Sequence, residues 1–324
     1  MSRENRDRRD SQDGEDGQGS QDHREIVAGV DGSPESLAAA DWAAREARYR
    51  RLPLRLVHAW HGEPPALPPA QGRESLRHRA DEVLREAASV LAERYPGLTL
   101  TGEVLTDAPV AALVSTEERA EMLVIGSRGY GAVAGFLLGS YGQQIIAAAG
   151  RPVVAVRSRS RNSAGDGNGN GGDERGPVPE GGEIVVGQLG GPEDSEPALR
   201  FAFETAAARG ASVRAVRAWS LPPLYAYGPA SMAPVDEAGG LVPYEEKALR
   251  EALSPWRERF PQVRVDEHVE MGSAGQVLLS ASGRARLLVV GRRARRGAFG
   301  PRIGSVAHAA LHLAPCPVAV VPQD

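Results

Sequence analysis

The chain has 324 residues, 41% hydrophobic and 25% charged, with a formal net charge of −4. That balance argues against a whole-protein nucleic-acid binder, and no run of about 18 apolar residues is present to span a membrane. One cysteine, Cys316, excludes an intramolecular disulfide and a cysteine-based zinc site.

Residues 1–22 lack an apolar core segment and read as a solvated, disordered tail rather than a secretory signal. The expected location is cytoplasmic. Arg24 to Val30 is a strand ending in Asp31-Gly32-Ser33-Pro34. The alanine-rich segment from Ser36 has apolar positions at helical spacing. Leu54 to Trp60 is a second strand, followed by a proline-rich loop and an amphipathic helix from Glu74 to Tyr95, which Pro96-Gly97 stops. Leu98 to Leu105 alternates like a strand, and Pro109 to Ala120 is helical. A buried strand at Met122 to Ile125, a helix from Gly139 to Ala149 and a last strand at Pro152 to Val156 complete the unit. Strands alternating with helices imply parallel pairing and right-handed crossovers.

Residues 158–182 are rich in glycine, asparagine and charge without an apolar period, and read as a flexible linker. The plan then repeats. EIVVG at Glu183 echoes EIVAG at Glu25, and VRAVRAW at Val213 echoes LRLVHAW at Leu54. RLLVVG at Arg286 echoes EMLVIG at Glu121, and APCPVAVV at Ala314 echoes AGRPVVAV at Ala149. The offset near 160 residues marks a duplicated domain. The predicted architecture is α/β: two tandem doubly wound domains, residues 23–157 and 183–322, each an open five-stranded parallel sheet flanked by helices.

The stretch after Met122 carries chemistry. An apolar strand runs into Gly126, Gly129, Gly131 and Gly135 and closes on Gly139-Ser140, where a helix begins. Such a loop holds phosphate, because bare backbone approaches the anion and the first helical N–H groups point at it. The P-loop string is absent, and so is the dinucleotide fingerprint. The spacing G-x2-G-x9-G-S resembles the ATP-binding loop of the universal stress protein family. GVDGSPESLAAADWAA, GSRGYGAVAGFLLGS and GSVAHAALHLAPCPVAVV extend that resemblance over nearly the whole chain apart from the tail and linker.

The resemblance implies ATP as ligand, with Mg2+ left open. It places the main chain of Gly29 and Val30 near adenine and the Asp31 carboxylate on ribose, although an Asp at a strand end also favours a tight turn. Gly126, Ser127, Arg128 and Gly129 would line the sugar and phosphates, with Gly139 and Ser140 holding the terminal phosphates. The second half keeps Gly291, Gly304 and Ser305, but Leu189 stands where Asp31 stands and Ala294 where Gly129 stands. Its arginines, Arg292, Arg293, Arg295 and Arg296, either attract anions or form a solvated basic loop. The first half is therefore expected to bind nucleotide and the second weakly or not at all.

The functional expectation is an ATP-binding stress-response protein in which nucleotide is a regulatory ligand. No general base beside a nucleophile accompanies the loop, so an enzyme is not expected beyond weak ATP hydrolysis; the enzyme alternative is a slow ATPase or a nucleotide-using enzyme of the related α/β superfamily. A nucleotide-free interaction module that pairs through its last strand is the other alternative. Adenine nucleotide is the expected partner, with a homodimer or an intrachain pseudo-dimer as the assembly. Cys316, Trp60, Trp219, His308 and His312 read as structural.

Overall fold

The computed structural model describes residues 24–59, 69–127, 140–158, 182–220, 240–293 and 303–323. The terminal tail and most of the linker lie outside them, as do Trp60, Arg128 to Gly139 and Ala294 to Arg302.

The first half contains β1 (Glu25–Gly29), α1 (Pro34–Arg50), β2 (Leu54–Ala59), α2 (Pro69–Arg94), β3 (Leu100–Leu105), α3 (Pro109–Ser115), β4 (Ala120–Ser127), α4 (Ser140–Ala148) and β5 (Val153–Arg157). The second contains β6 (Glu183–Gly187), α5 (Glu196–Arg209), β7 (Ser212–Trp219), α6 (Val242–Arg259), β8 (Val265–Met271), α7 (Ala274–Ala281), β9 (Leu287–Arg293), α8 (Ser305–Leu313) and β10 (Val318–Gln323). The predicted strands and helices are all present. The main differences are at ends: α3 stops at Ser115 and a turn leads into a longer β4.

Within each half all five strands are parallel, in the orders β3-β2-β1-β4-β5 and β8-β7-β6-β9-β10. The two halves share one ten-stranded sheet, because β5 pairs with β10 antiparallel. Apolar strand centres explain the burial on both faces. Two apolar layers cover the sheet, one beneath α1, α2, α5 and α6 and the other beneath α3, α4, α7 and α8. Each layer runs without a break from one half into the other.

Local chemistry sets the helix ends. Ser33 caps α1, its Oγ accepting from the Ser36 N–H, and Pro34 supplies the fixed φ of the first turn. The helix ends on Arg51 in the left-handed region, φ 56°, where α5 ends on Gly210 at φ 64°.

On one face the halves also meet through helices. Arg50 of α1 and Arg209 of α5 both reach Glu46, whose side chain is fully buried, at 2.6 Å each. Arg50 Nη2 donates to Thr205 Oγ1 at 2.6 Å. Each guanidinium lies over an aromatic ring of the opposite half, Arg50 over Phe201 at 5.3 Å and Arg209 over Trp42 at 5.1 Å.

Candidate functional site

Strand order reverses between β1 and β4 in the first half and between β6 and β9 in the second. A doubly wound sheet opens a crevice there, beyond the carboxyl ends of its strands. In the first half β1 hands over to Val30 and Asp31. Val30 is buried and its N–H donates to the Val57 carbonyl at 2.9 Å, so the chain continues beside β2 before it turns.

Asp31 is exposed and organises that turn. Its Oδ1 accepts from the Ser33 N–H at 2.9 Å and from the Ser33 hydroxyl at 2.5 Å. Ser36 Oγ accepts from the Asp31 N–H and donates to the Ser33 carbonyl. Gly32 takes φ +82°, which a side chain would resist. Partial burial pushes the Asp31 carboxyl pKa up, but the hydrogen bonds from Ser33 and Ser36 outweigh it and hold it below the usual carboxylate range. The turn role and an ionised, accessible carboxylate thus coexist in one residue.

Gly126, near the end of β4, packs closely against the start of α1. A Cβ there would lie 2.6–2.7 Å from the main chain of Glu35 and Ser36. The bare Cα lets β4 close against the first turn of α1, so the missing side chain serves packing here. Gly29 is similar in kind, with Leu113 3.1 Å from its would-be Cβ. Ser127 is 4% exposed and ends β4 as a buried side chain. Ser140 opens α4 and is exposed. Arg128, Gly129 and Gly139 lie outside the described residues.

The second half repeats the backbone and changes the chemistry. Gln188 N–H donates to the Val216 carbonyl at 2.9 Å as Val30 does to Val57. Leu189 N–H donates to Ser195 Oγ at 2.8 Å as Asp31 does to Ser36. Leu189 presents an apolar side chain, 54% exposed, where Asp31 presents its carboxylate. Asp194 takes over the bracing, accepting from the Gly191 N–H at 2.9 Å and pairing with Arg293 at 3.2 Å.

Two of the four predicted anion-attracting arginines are therefore already engaged. Arg293 has Asp194. Arg292 is buried in the seam between the halves and donates to the Ala149 carbonyl at 2.6 Å, and burial pulls its pKa down. Ala294, Arg295 and Arg296 lie outside the described residues. Gly291 faces the Gln323 side chain rather than a helix backbone, while Gly304 and Ser305 open α8 without a side-chain cap.

His308 and His312 stand with ring centroids 4.1 Å apart on α8, and no group of three metal-ligating side chains forms among the described residues. Cys316 is buried, which pushes its thiol pKa up to about 12. Sequence reading passed over two positions beside the crevices, His58 and Arg217. The matching strands LRLVHAW and VRAVRAW carried the signal, since they agree around this one change of charge.

Two doubly wound α/β domains in tandem, each with its crevice at the point of strand reversal, define the class. The family profile described as the universal stress protein family matches residues 23–157 and 183–322. A universal stress protein of Mycobacterium tuberculosis is 34% identical over 308 residues, covering 92% of this chain and 97% of its own length. One from Mycolicibacterium smegmatis is 32% identical over 308 residues, covering 91% and 96%. The crystal structure of a universal stress protein from Archaeoglobus fulgidus superposes with a TM-score of 0.67 at 15% identity, covering 93% of this chain and 99% of that one, a likeness of fold. The chain belongs to the universal stress protein family.

Proposed function

We propose that the first half binds ATP in its crevice as a regulatory ligand of a stress response, and that the second half does not bind it with comparable strength. The observation that carries this reading is Asp31: an exposed, ionised carboxylate at the mouth of β1, held in place by Ser33 and Ser36 beside the point of strand reversal. A carboxylate so placed accepts hydrogen bonds from vicinal hydroxyls of a ribose. Ser140 at the start of α4 adds a hydroxyl and helix N–H groups for phosphate oxygens. Arg128, Gly129 and Gly139 complete the reading from sequence. Mg2+ enters as the companion of the triphosphate.

In this reading nucleotide is bound and released rather than consumed, and the chain works in the cytoplasm. The intrachain pairing of β5 with β10 supplies the two-domain assembly, and a further homodimer is not needed for the site. Calorimetry of the full chain with ATP tests the reading. One tight equivalent supports it, two equal sites refute the inequality, and no heat refutes the site. ATP recovered intact after long incubation with Mg2+ supports a ligand. Steady ADP release at or above about one turnover per minute supports an enzyme instead.

A further inference from the structure

His58 on β2 and Arg217 on β7 hold the same place in the two halves, one residue before the end of their strands' matching LRLVHA and VRAVRA segments. Strand alternation puts both on the face covered by the first two helices of their half. Arg217 shows where this position reaches. Its Nη1 donates to the Gly190 carbonyl at 2.8 Å and to Gln188 Oε1, and its Nε donates to Glu245 Oε2 on α6 at 2.5 Å. The guanidinium therefore spans from β7 to the first loop, the loop that carries Leu189 at the mouth of β6.

In the first half the corresponding loop carries Asp31, and Val30 stands where Gln188 stands. The shorter His58 replaces the arginine. Its Nδ1 is buried and has no hydrogen-bond partner among the described residues. Buried ring nitrogens are ordinarily paired, so an unpaired one beside a crevice points to an absent partner.

We propose that this position decides which half accepts a ligand. His58 gives its ring nitrogen to a polar atom of the base or sugar of a nucleotide held beside Asp31. Arg217 fills the equivalent space with the protein's own cation and closes the second crevice. The inference rests on the reading that the first crevice takes an adenine nucleotide, and it adds a specificity-determining residue to that reading.

The test uses the full chain labelled with 15N in its histidine rings and titrated with ATP. The ring resonances of His58, assigned by their loss in His58→Phe, shift on saturation, and His58→Phe weakens ATP binding about tenfold, the scale of one lost hydrogen bond. Unmoved His58 resonances together with unchanged affinity in His58→Phe overturn the assignment while binding that depends on Asp31 survives. A chain that binds no ATP at all brings down the broader reading and this one together, so the two failures are distinguishable. For the second half, Leu189→Asp is compared with Leu189→Asp/Arg217→His. A second ATP equivalent at least about tenfold tighter in the double variant supports closure by Arg217. Equal second-site affinity in the two variants, or none in either, overturns it.

Discussion

Val154 and Ala319 face each other across the antiparallel join of β5 and β10, and each holds the same place in its own half. Val153 faces Val320 and Ala155 faces Val318, so an approximate two-fold passes through the Val154–Ala319 pair. The duplicated domain thus meets itself through equivalent residues, which is the isologous geometry of a two-fold dimer made within one chain.

Because both apolar layers cross that join, the halves are expected to unfold together. Trp42 reports on the first half and Trp256 on the second, and variants keeping one or the other should give coincident urea transitions. Val154→Asp puts a charge at a position with no exposure. It should cost on the order of 3 kcal/mol or more and separate the two transitions. Coincident transitions in that variant would mean that the helical seam alone couples the halves.

Glu46 holds the second contact between halves. It is 1% exposed and bonded to Arg50 of its own half and Arg209 of the other. Removing one member of a buried ionic group leaves the rest uncompensated, at about 3–5 kcal/mol. Glu46→Ala should therefore destabilise the chain by that amount in urea titrations, whereas Glu86→Ala on the exposed face of α2 should cost under about 0.5 kcal/mol.

Arg51 is the non-glycine residue with positive φ among the described residues, and Gly210 fills its place in the second half. The left-handed region costs an L-residue about 1–2 kcal/mol. Glycine regains that but gives back part through the entropy of the unfolded chain. Arg51→Gly should raise stability by about 0.5–1 kcal/mol, read as a higher urea midpoint with unchanged slope.

The strands and their order of appearance were legible because each is a short apolar run bounded by glycine or proline, and because the plan occurs twice. Asp31 was legible from its place after the first strand. The join of β5 to β10 was legible as one of two alternatives, pairing of last strands within one chain or between chains: two apolar strands at sheet edges leave that choice open, since pairing is a long-range event. Glu46 was hidden in an alanine-rich helix, where a carboxylate reads as a surface residue until Arg209 arrives from 163 residues away. The packing role of Gly126 was not legible, because sequence does not show the main chain of Glu35 lying against it.

Glu204 on α5 gives a pH-dependent prediction. Burial, then the like charge of Glu121 from the other half, raise its pKa, with Arg50, Arg259 and Arg200 opposing. A folded pKa above the unfolded one means that the folded state binds more protons between those two values. Stability therefore falls as pH rises through that window. Glu204→Gln should flatten this fall above about pH 4.3 and leave the variant at least as stable as the parent at neutral pH. A variant with an unchanged pH profile would show that the arginines already neutralise the group.

Asp31 has the opposite sign. Its folded pKa lies below the unfolded one, so its contribution is present above about pH 4 and is lost as pH falls toward the folded value. Asp31→Asn should lose less stability than the parent on acidification, as followed by circular dichroism in urea. The same substitution removes the charge on which the proposed nucleotide recognition rests while keeping the shape of the turn. Two charge-assisted hydrogen bonds to a ribose, each about 1.5–3 kcal/mol, set the scale, so ATP affinity should fall by at least about tenfold at neutral pH. Ser33→Ala should weaken ATP binding less, because it loosens the carboxylate without discharging it. Equal loss in both variants would mean that the turn, rather than the carboxylate, is what nucleotide needs.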